Sequence, residues 1–95
     1  MSTYFICYET VPVKGHQNEQ DFGGAIINGW IVAPTLEGAD VQFKETTLQQ
    51  GWKATKKEQP FEVLDGNYEK DEEGYQYFQQ AQLDGEVYFV HSWDK

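Results

Sequence analysis

The fold depends on the stretch Gly24-Ala-Ile-Ile-Asn-Gly-Trp-Ile-Val-Ala33. Asn28-Gly29 within it is the strongest short-range signal for a hairpin turn, which would split the stretch into two arms of four residues. As one continuous strand, the stretch would place small and aliphatic residues on one face, where a helix packs closely: Ala25, Ile27, Gly29, Ile31 and Ala33. We favour the single strand because four-residue arms are short, and the hairpin stays open as the alternative.

Further elements are predicted on either side of this stretch. Residues 4–11 are dense in β-branched and aromatic side chains, which favours a strand that ends at Pro12. Residues 14–23 are polar and typical of a loop. After the central stretch, Thr35 is the predicted N-cap of a helix that ends at Gly51.

The second half of the chain contains a weaker strand, a turn, a helix and a strong last strand. Lysines and Pro60 interrupt the strand over residues 52–64, which is typical of the edge of a sheet. Asp65-Gly66-Asn67 is predicted to be a turn. We predict a helix over residues 69–83 and the last strand over residues 86–93.

The element order β-β-α-β-α-β predicts a single α+β domain over residues 1–95. Two right-handed β-α-β crossovers would place both helices on one face of a mixed four-stranded sheet, which gives a two-layer sandwich. The first, second and last strands are nevertheless apolar on both of their faces. We therefore expect the second face of the sheet either to be covered by a partner or to present an exposed aromatic patch.

The composition excludes several classes of partner. Sixteen acids oppose seven bases, for a net charge of −9, and all seven bases are lysines. Because nucleic-acid binding depends on basic, arginine-rich patches and anionic membranes repel acidic proteins, we expect neither nucleic acid nor a membrane as partner. No apolar run reaches the length of a membrane helix, the first residues do not resemble a signal peptide, and a single cysteine suits a reducing compartment. We therefore expect a cytoplasmic protein.

No group of residues has catalytic or metal-ligand spacing. Cys7 and His91 would form a nucleophile–base pair only if the first and last strands were neighbours, and a buried structural thiol is the simpler interpretation. A zinc site would need Cys7, His16 and His91 with a carboxylate, and these residues lack the short spacing of zinc ligands. The acid-rich segment 65–76 lacks the glycine that a calcium loop needs at its sixth position. We therefore predict no catalytic residue, no bound metal and no cofactor.

The aromatic sheet face is the feature that suggests a function. We interpret the protein as a small, acidic, non-enzymatic interaction or regulatory module that binds a basic protein partner through this face. Immunity proteins and inhibitors that mask basic nucleases are similar to it in size and charge alone. The residues expected at the interface are Tyr8, Asn28, Trp30, Tyr88, His91 and Trp93. We expect Trp30→Ala to weaken binding and to leave the fold intact.

The alternative is a small dimeric enzyme or ligand-binding domain. In it, a second subunit would cover the sheet face, and a mostly apolar pocket between the subunits would be lined by Tyr8, Asn28, Tyr88 and His91. A homodimer would be compatible with either interpretation.

Overall fold

The protein is an α+β structure, as predicted, and its sheet is open and antiparallel. The computed structural model describes residues 1–64 and 73–95. The strands are β1 (Ser2–Pro12), β2 (Phe22–Ala33), β3 (Trp52–Lys57), β4 (Phe61–Val63) and β5 (Glu86–Asp94). The helices are α1 (Gln17–Asp21), α2 (Leu36–Gln49) and α3 (Glu73–Asp84).

The central stretch is one strand, so the single-strand prediction is confirmed and the hairpin at Asn28-Gly29 is wrong. β2 pairs along its length with β1, from Ser2 opposite Ala33 to Thr10 opposite Ala25. The strand order is β3-β1-β2-β5, and β4 pairs with the start of β1 on the edge that β3 also uses.

The predicted mixed sheet is wrong, because every strand pair of the described residues is antiparallel. β2 and β3 do run in the same direction, but β1 lies between them. β4 and β5 run in opposite directions, so the connection through α3 is not a parallel crossover. The handedness rule that we used to place both helices therefore applies to α2 alone.

α2 and the sheet form the two packed layers that the sequence predicts. The helix begins as expected, because the Thr35 hydroxyl accepts a hydrogen bond from the Gly38 amide at 3.0 Å. Its buried side chains, which include Ala39 and Phe43, pack against aliphatic residues of β1 and β2. Gly29 lets this helix approach closely, since a Cβ at that position would lie 2.8 Å from the Phe43 ring.

α3 lies on the opposite face of the sheet, so the prediction of both helices on one face is wrong. It packs against Trp30, which neighbours Gly29 in the strand and therefore points to the other side. Ala81 of α3 is fully buried in the same cluster. The second apolar face of the strands is thus partly explained, because α3 covers one half of it.

The expected edge strand is confirmed, with its break where proline predicts one. Residues 52–64 form β3 and β4, separated at 58–60, and Pro60 stands in that gap. The predicted turn at Asp65-Gly66-Asn67 and the first four residues of the predicted helix over 69–83 lie outside the described residues.

The loop predicted over residues 14–23 contains a short helix that the sequence analysis did not anticipate. α1 is five residues long and begins where His16 Nδ1 accepts a hydrogen bond from the Asn18 amide at 3.0 Å. None of its residues is buried. An apolar stripe, which is the usual sequence signal of a helix, is therefore missing.

Candidate interaction surface

α3 leaves half of its sheet face uncovered, and that half is apolar. We call this surface the uncovered patch: Ile26, Asn28, Phe89, His91 and Trp93. Ile26 is 41% exposed, Phe89 38% and Trp93 40%. These residues are contiguous, because Ile26 pairs with His91 and Asn28 pairs with Phe89 across β2 and β5. Two strands therefore present a single aromatic and aliphatic surface to solvent.

Two glycines position Trp93 on the patch. Gly24 is its partner on β2, and a Cβ at Gly24 would lie 2.6 Å from the indole ring. A Cβ at Gly23 would lie 3.1 Å from the same ring. The strand also has a bulge between Phe22 and Gly24. The indole thus lies flat over bare backbone, which fixes its orientation while two-fifths of its surface stays exposed.

A row of aromatic rings connects the patch to the core. Phe89 contacts Tyr77 of α3 with ring centroids 5.8 Å apart, and Tyr77 stacks on Trp30 at 4.8 Å. Trp30 meets Phe5 edge-on at 5.1 Å, and Phe5 stacks on Phe61 of β4 at 5.1 Å. The exposed ring of Phe89 is therefore packed at one end of a row of aromatic contacts that includes the buried Trp30.

The border of the patch carries charges of both signs. Glu9 pairs with Ile26 and points to the same face as the patch, and its other neighbour is Lys56 of β3. Asp94 pairs with Phe22 at the end of β5. The border is therefore mixed in charge, whereas the chain as a whole is acidic, with a net charge of −9.

The structure brings together three of the six predicted interface residues. Asn28, His91 and Trp93 lie on the uncovered patch. Trp30 faces the same way but is 5% exposed beneath α3, so its predicted place on a helix-free surface is wrong. The reason is that α3, which we placed on the other face, covers this indole.

The four residues predicted to line a pocket between two subunits do not share one face of the sheet. Tyr8 and Tyr88 point toward α2, whereas Asn28 and His91 point to the other face. A second subunit covering one face of the sheet would therefore contact two of the four side chains at most.

Tyr8 serves to attach α2 to the sheet. Its hydroxyl donates a 2.8 Å hydrogen bond to Asp40 Oδ1 on α2. Lys44 and Lys57 each lie 3.3 Å from the same carboxylate. Burial alone would raise the pKa of Asp40, but the hydrogen bonds from Tyr8, Lys44 and Lys57 lower it below its ordinary value. This cluster joins β1, α2 and β3.

Tyr88 lies at a groove of about 600 Å³ on the α2 face, which the sequence analysis missed. Its hydroxyl is buried and has no hydrogen-bond partner among residues 1–64 and 73–95. Burial, with a smaller contribution from Glu86, raises the pKa of Tyr88 to about 12, while Thr46 opposes the rise. The described lining residues, which include Thr46 and Ser92, are all uncharged. Residues from five elements, α1, β2, α2, β3 and β5, form the groove, so no local sequence signal could have revealed it.

Cys7 is buried, as predicted for a structural thiol. Burial and the nearby Glu58 raise the pKa of its thiol, which disfavours the reactive thiolate. β2 lies between β1 and β5, so Cys7 and His91 are not on neighbouring strands. The condition that we set for a nucleophile–base pair is therefore not met.

The described part of the chain contains neither a candidate metal site nor a candidate membrane-spanning helix. Residues 1–64 and 73–95 contain no cluster of three or more His, Cys, Asp or Glu side chains that could hold a metal ion. In the same ranges, no helix is long and apolar enough to span a membrane.

Comparison with known proteins gives no relative: no family model, curated protein or solved structure matches this chain.

Proposed function

We propose that this protein is a non-enzymatic interaction module that binds a basic protein partner through the uncovered patch. The observation that carries the proposal is the exposure of Ile26, Phe89 and Trp93 on two adjacent strands. Exposed aromatic side chains in rigid settings are typical of binding hot spots. Burying the three side chains under a partner would remove a large apolar area from water.

Charge supports a basic partner. The chain carries −9 and has no arginine, so a positively charged protein would be attracted over a long range and an acidic one repelled. Masking the active surface of a basic enzyme, as immunity proteins and inhibitors do, is one function that fits these properties. The free thiol of Cys7, the one cysteine of the sequence, supports a reducing location such as the cytoplasm.

Affinity capture with matched variants tests the proposal. Ile26→Asp places a charge at the centre of the patch, and Val41→Asp makes the same kind of change at an exposed position of α2, where Val41 is 54% exposed. We expect the wild type and Val41→Asp to capture the same basic protein from a native lysate, and Ile26→Asp to lose it. Circular dichroism of both variants checks that the fold is retained.

The salt dependence of this capture tests the electrostatic part. Raising the salt from about 0.1 M to about 1 M shortens the Debye length from about 10 Å to about 3 Å. We expect association with the captured protein to slow sharply over this range. Capture of an acidic protein, or capture that is insensitive to both salt and Ile26→Asp, would overturn the proposed function.

A further inference from the structure

β5 is a long strand at the edge of the sheet. It is nine residues long, and among residues 1–64 and 73–95 its one neighbouring strand is β2. Every side chain of β5 keeps some exposure to solvent. A long edge strand of this kind exposes a row of unpaired backbone donors and acceptors that can pair with another strand.

The hydrogen-bond pattern shows which backbone groups point outward. The Val32 amide donates to the Gly85 carbonyl at 2.9 Å, and bonded pairs in an antiparallel ladder recur at every second residue. Val87, Phe89 and His91 therefore bond to β2. The residues whose N–H and C=O groups point to the free edge are Glu86, Tyr88, Val90 and Ser92. Among residues 1–64 and 73–95, these four residues, with two groups each, direct eight backbone groups away from β2.

The opposite edge of the sheet differs from β5, because its sequence protects it against further strand pairing. β3 carries Lys53, Lys56 and Lys57, and Pro60 interrupts the edge before β4. Lysine and proline at an edge are the usual means of preventing further strand pairing. The sequence of β5, Glu-Val-Tyr-Phe-Val-His-Ser-Trp-Asp, contains neither. Within the described residues, one edge of the sheet is therefore protected and the other, β5, has no strand beside it.

Charge favours a basic strand over a second copy at this edge. Glu86 and Asp94 stand at the two ends of β5, which carries no lysine. A second copy would bring another −9 to the contact, and pairing centred on Val90 would place Glu86 opposite Asp94 of that copy. A strand with lysine or arginine near its ends would instead meet opposite charges.

We propose that β5 binds the basic partner by strand addition, so that an extended segment of the partner becomes the sixth strand of the sheet. This inference rests on the proposed function and specifies how the partner binds. The added strand would lie beside Phe89 and Trp93, so its side chains would extend the uncovered patch. Backbone hydrogen bonds would supply affinity, and the exposed rings and terminal charges would supply selectivity.

Amide exchange of the intact protein with a defined probe tests this geometry. The probe is a synthetic extended peptide of alternating valine and threonine with lysine at both ends, and the control peptide has glutamate in place of each lysine. In the free protein we expect the amides of Tyr88, Val90 and Ser92 to exchange quickly and those of Phe89 and His91 slowly. The lysine peptide should slow exchange at the first three by at least about tenfold.

Variants at Val90 separate edge pairing from contact with the patch. Val90→Pro removes one outward donor and leaves the bonds to β2 intact, so we expect peptide affinity to fall about tenfold. If that variant does not fold, Val90→Lys keeps the backbone donor but places a charge on the free edge, as the lysines of β3 do on the other edge, with Val41→Lys as the matched control on α2. Ultracentrifugation of the free protein tests whether a second copy of the chain pairs with β5 instead. A stable dimer that occupies β5 would overturn the choice of a basic strand.

The two proposals fail in distinguishable ways. Loss of partner capture with Ile26→Asp but not with Val90→Pro or Val90→Lys would refute strand addition and leave the proposed function standing. If Ile26→Asp and the Val90 variants all still capture the partner, both proposals are overturned. Binding of the lysine peptide without slower exchange at Tyr88 and Ser92 would also refute strand addition.

Discussion

Replacing Trp30 with alanine is expected to destabilise the fold strongly. The indole is 5% exposed, stacks on Tyr77 at 4.8 Å and meets Phe5 at 5.1 Å. Val63 and Ala81 belong to the same buried cluster. Trp30 therefore packs against α3 and against side chains of β1 and β4. Its removal would leave a cavity on the face of the sheet opposite α2.

The magnitude follows from the buried area. A tryptophan buries at most about 250 Å², and at about 25 cal/mol per Å² nearly complete burial of Trp30 corresponds to about 6 kcal/mol. That value is an upper bound, because alanine retains part of the area and the unfolded chain is not fully extended. Large aromatic-to-alanine substitutions in cores cost about 3–5 kcal/mol, so we expect about 4 kcal/mol. For 95 residues, that is a large fraction of a total stability of about 5–14 kcal/mol.

The assay is urea unfolding of Trp30→Ala beside Trp93→Ala, followed by circular dichroism. The chemical change is identical, but Trp93 is 40% exposed at the end of β5. We expect Trp93→Ala to cost less than about 2 kcal/mol, because much of its area is already in water. Trp93→Ala should lose partner binding with little change in stability. Trp30→Ala should instead lose a large part of the stability.

A loss of less than about 1 kcal/mol for Trp30→Ala would refute this reasoning. It would mean that α3 does not pack against the indole in solution, and that Trp30 is available for binding as the sequence analysis expected. Equal losses for Trp30→Ala and Trp93→Ala would likewise contradict the distinction between a core indole and a surface one.

Three further predictions concern the α2 face and the thiol. Gly29→Ala should destabilise the protein by about 1–3 kcal/mol in urea unfolding, since the new Cβ would lie 2.8 Å from the Phe43 ring; an unchanged midpoint would contradict the close packing. Because folding lowers the pKa of Asp40, its stabilising contribution is present above the ordinary value of 3.8 and is lost as the pH falls through the lowered pKa. Asp40→Asn should therefore flatten the decrease in stability below about pH 4, whereas an unchanged acid profile would show that the contacts of Asp40 with Tyr8 and its lysines do not stabilise the fold. The Cys7 thiol is buried and its pKa is raised, so it should react with iodoacetamide slowly in the native protein and quickly in urea. Fast alkylation of the native protein would show that the thiol is accessible.

Local sequence signals predicted the elements well where one physical cause dominates. β1 and β2 were predictable because β-branched and aromatic residues recur along them, and the short arms outweighed the turn signal of Asn28-Gly29. Thr35 was predictable as a cap because its hydroxyl satisfies an amide that the helix leaves unpaired. Pro60 was predictable as a break because it cannot donate to a strand.

The positions of the helices relative to the sheet were not predictable in the same way. The side on which α3 packs depends on the direction of β4, and three residues that pair with the start of β1 determine that direction. No pattern within α3 indicates which face it covers. The distinction between Trp30 and Trp93 follows from this one placement, which is why the sequence predicted an exposed aromatic surface but included a core residue in it.

β5 links the stability of this protein to its proposed binding. Five of eleven β1 residues and seven of twelve β2 residues are buried, whereas β5 has no fully buried residue. Local opening is easiest where burial is least, so β5 should open before the central strands. A partner strand would add hydrogen bonds to the least protected strand of the core sheet, and any ligand of the folded state stabilises it. The same linkage requires that substitutions which loosen β5 weaken binding even when they touch neither the patch nor the edge. Acidic charge would then govern which strands approach, and the exposed rings would determine which of them remain bound.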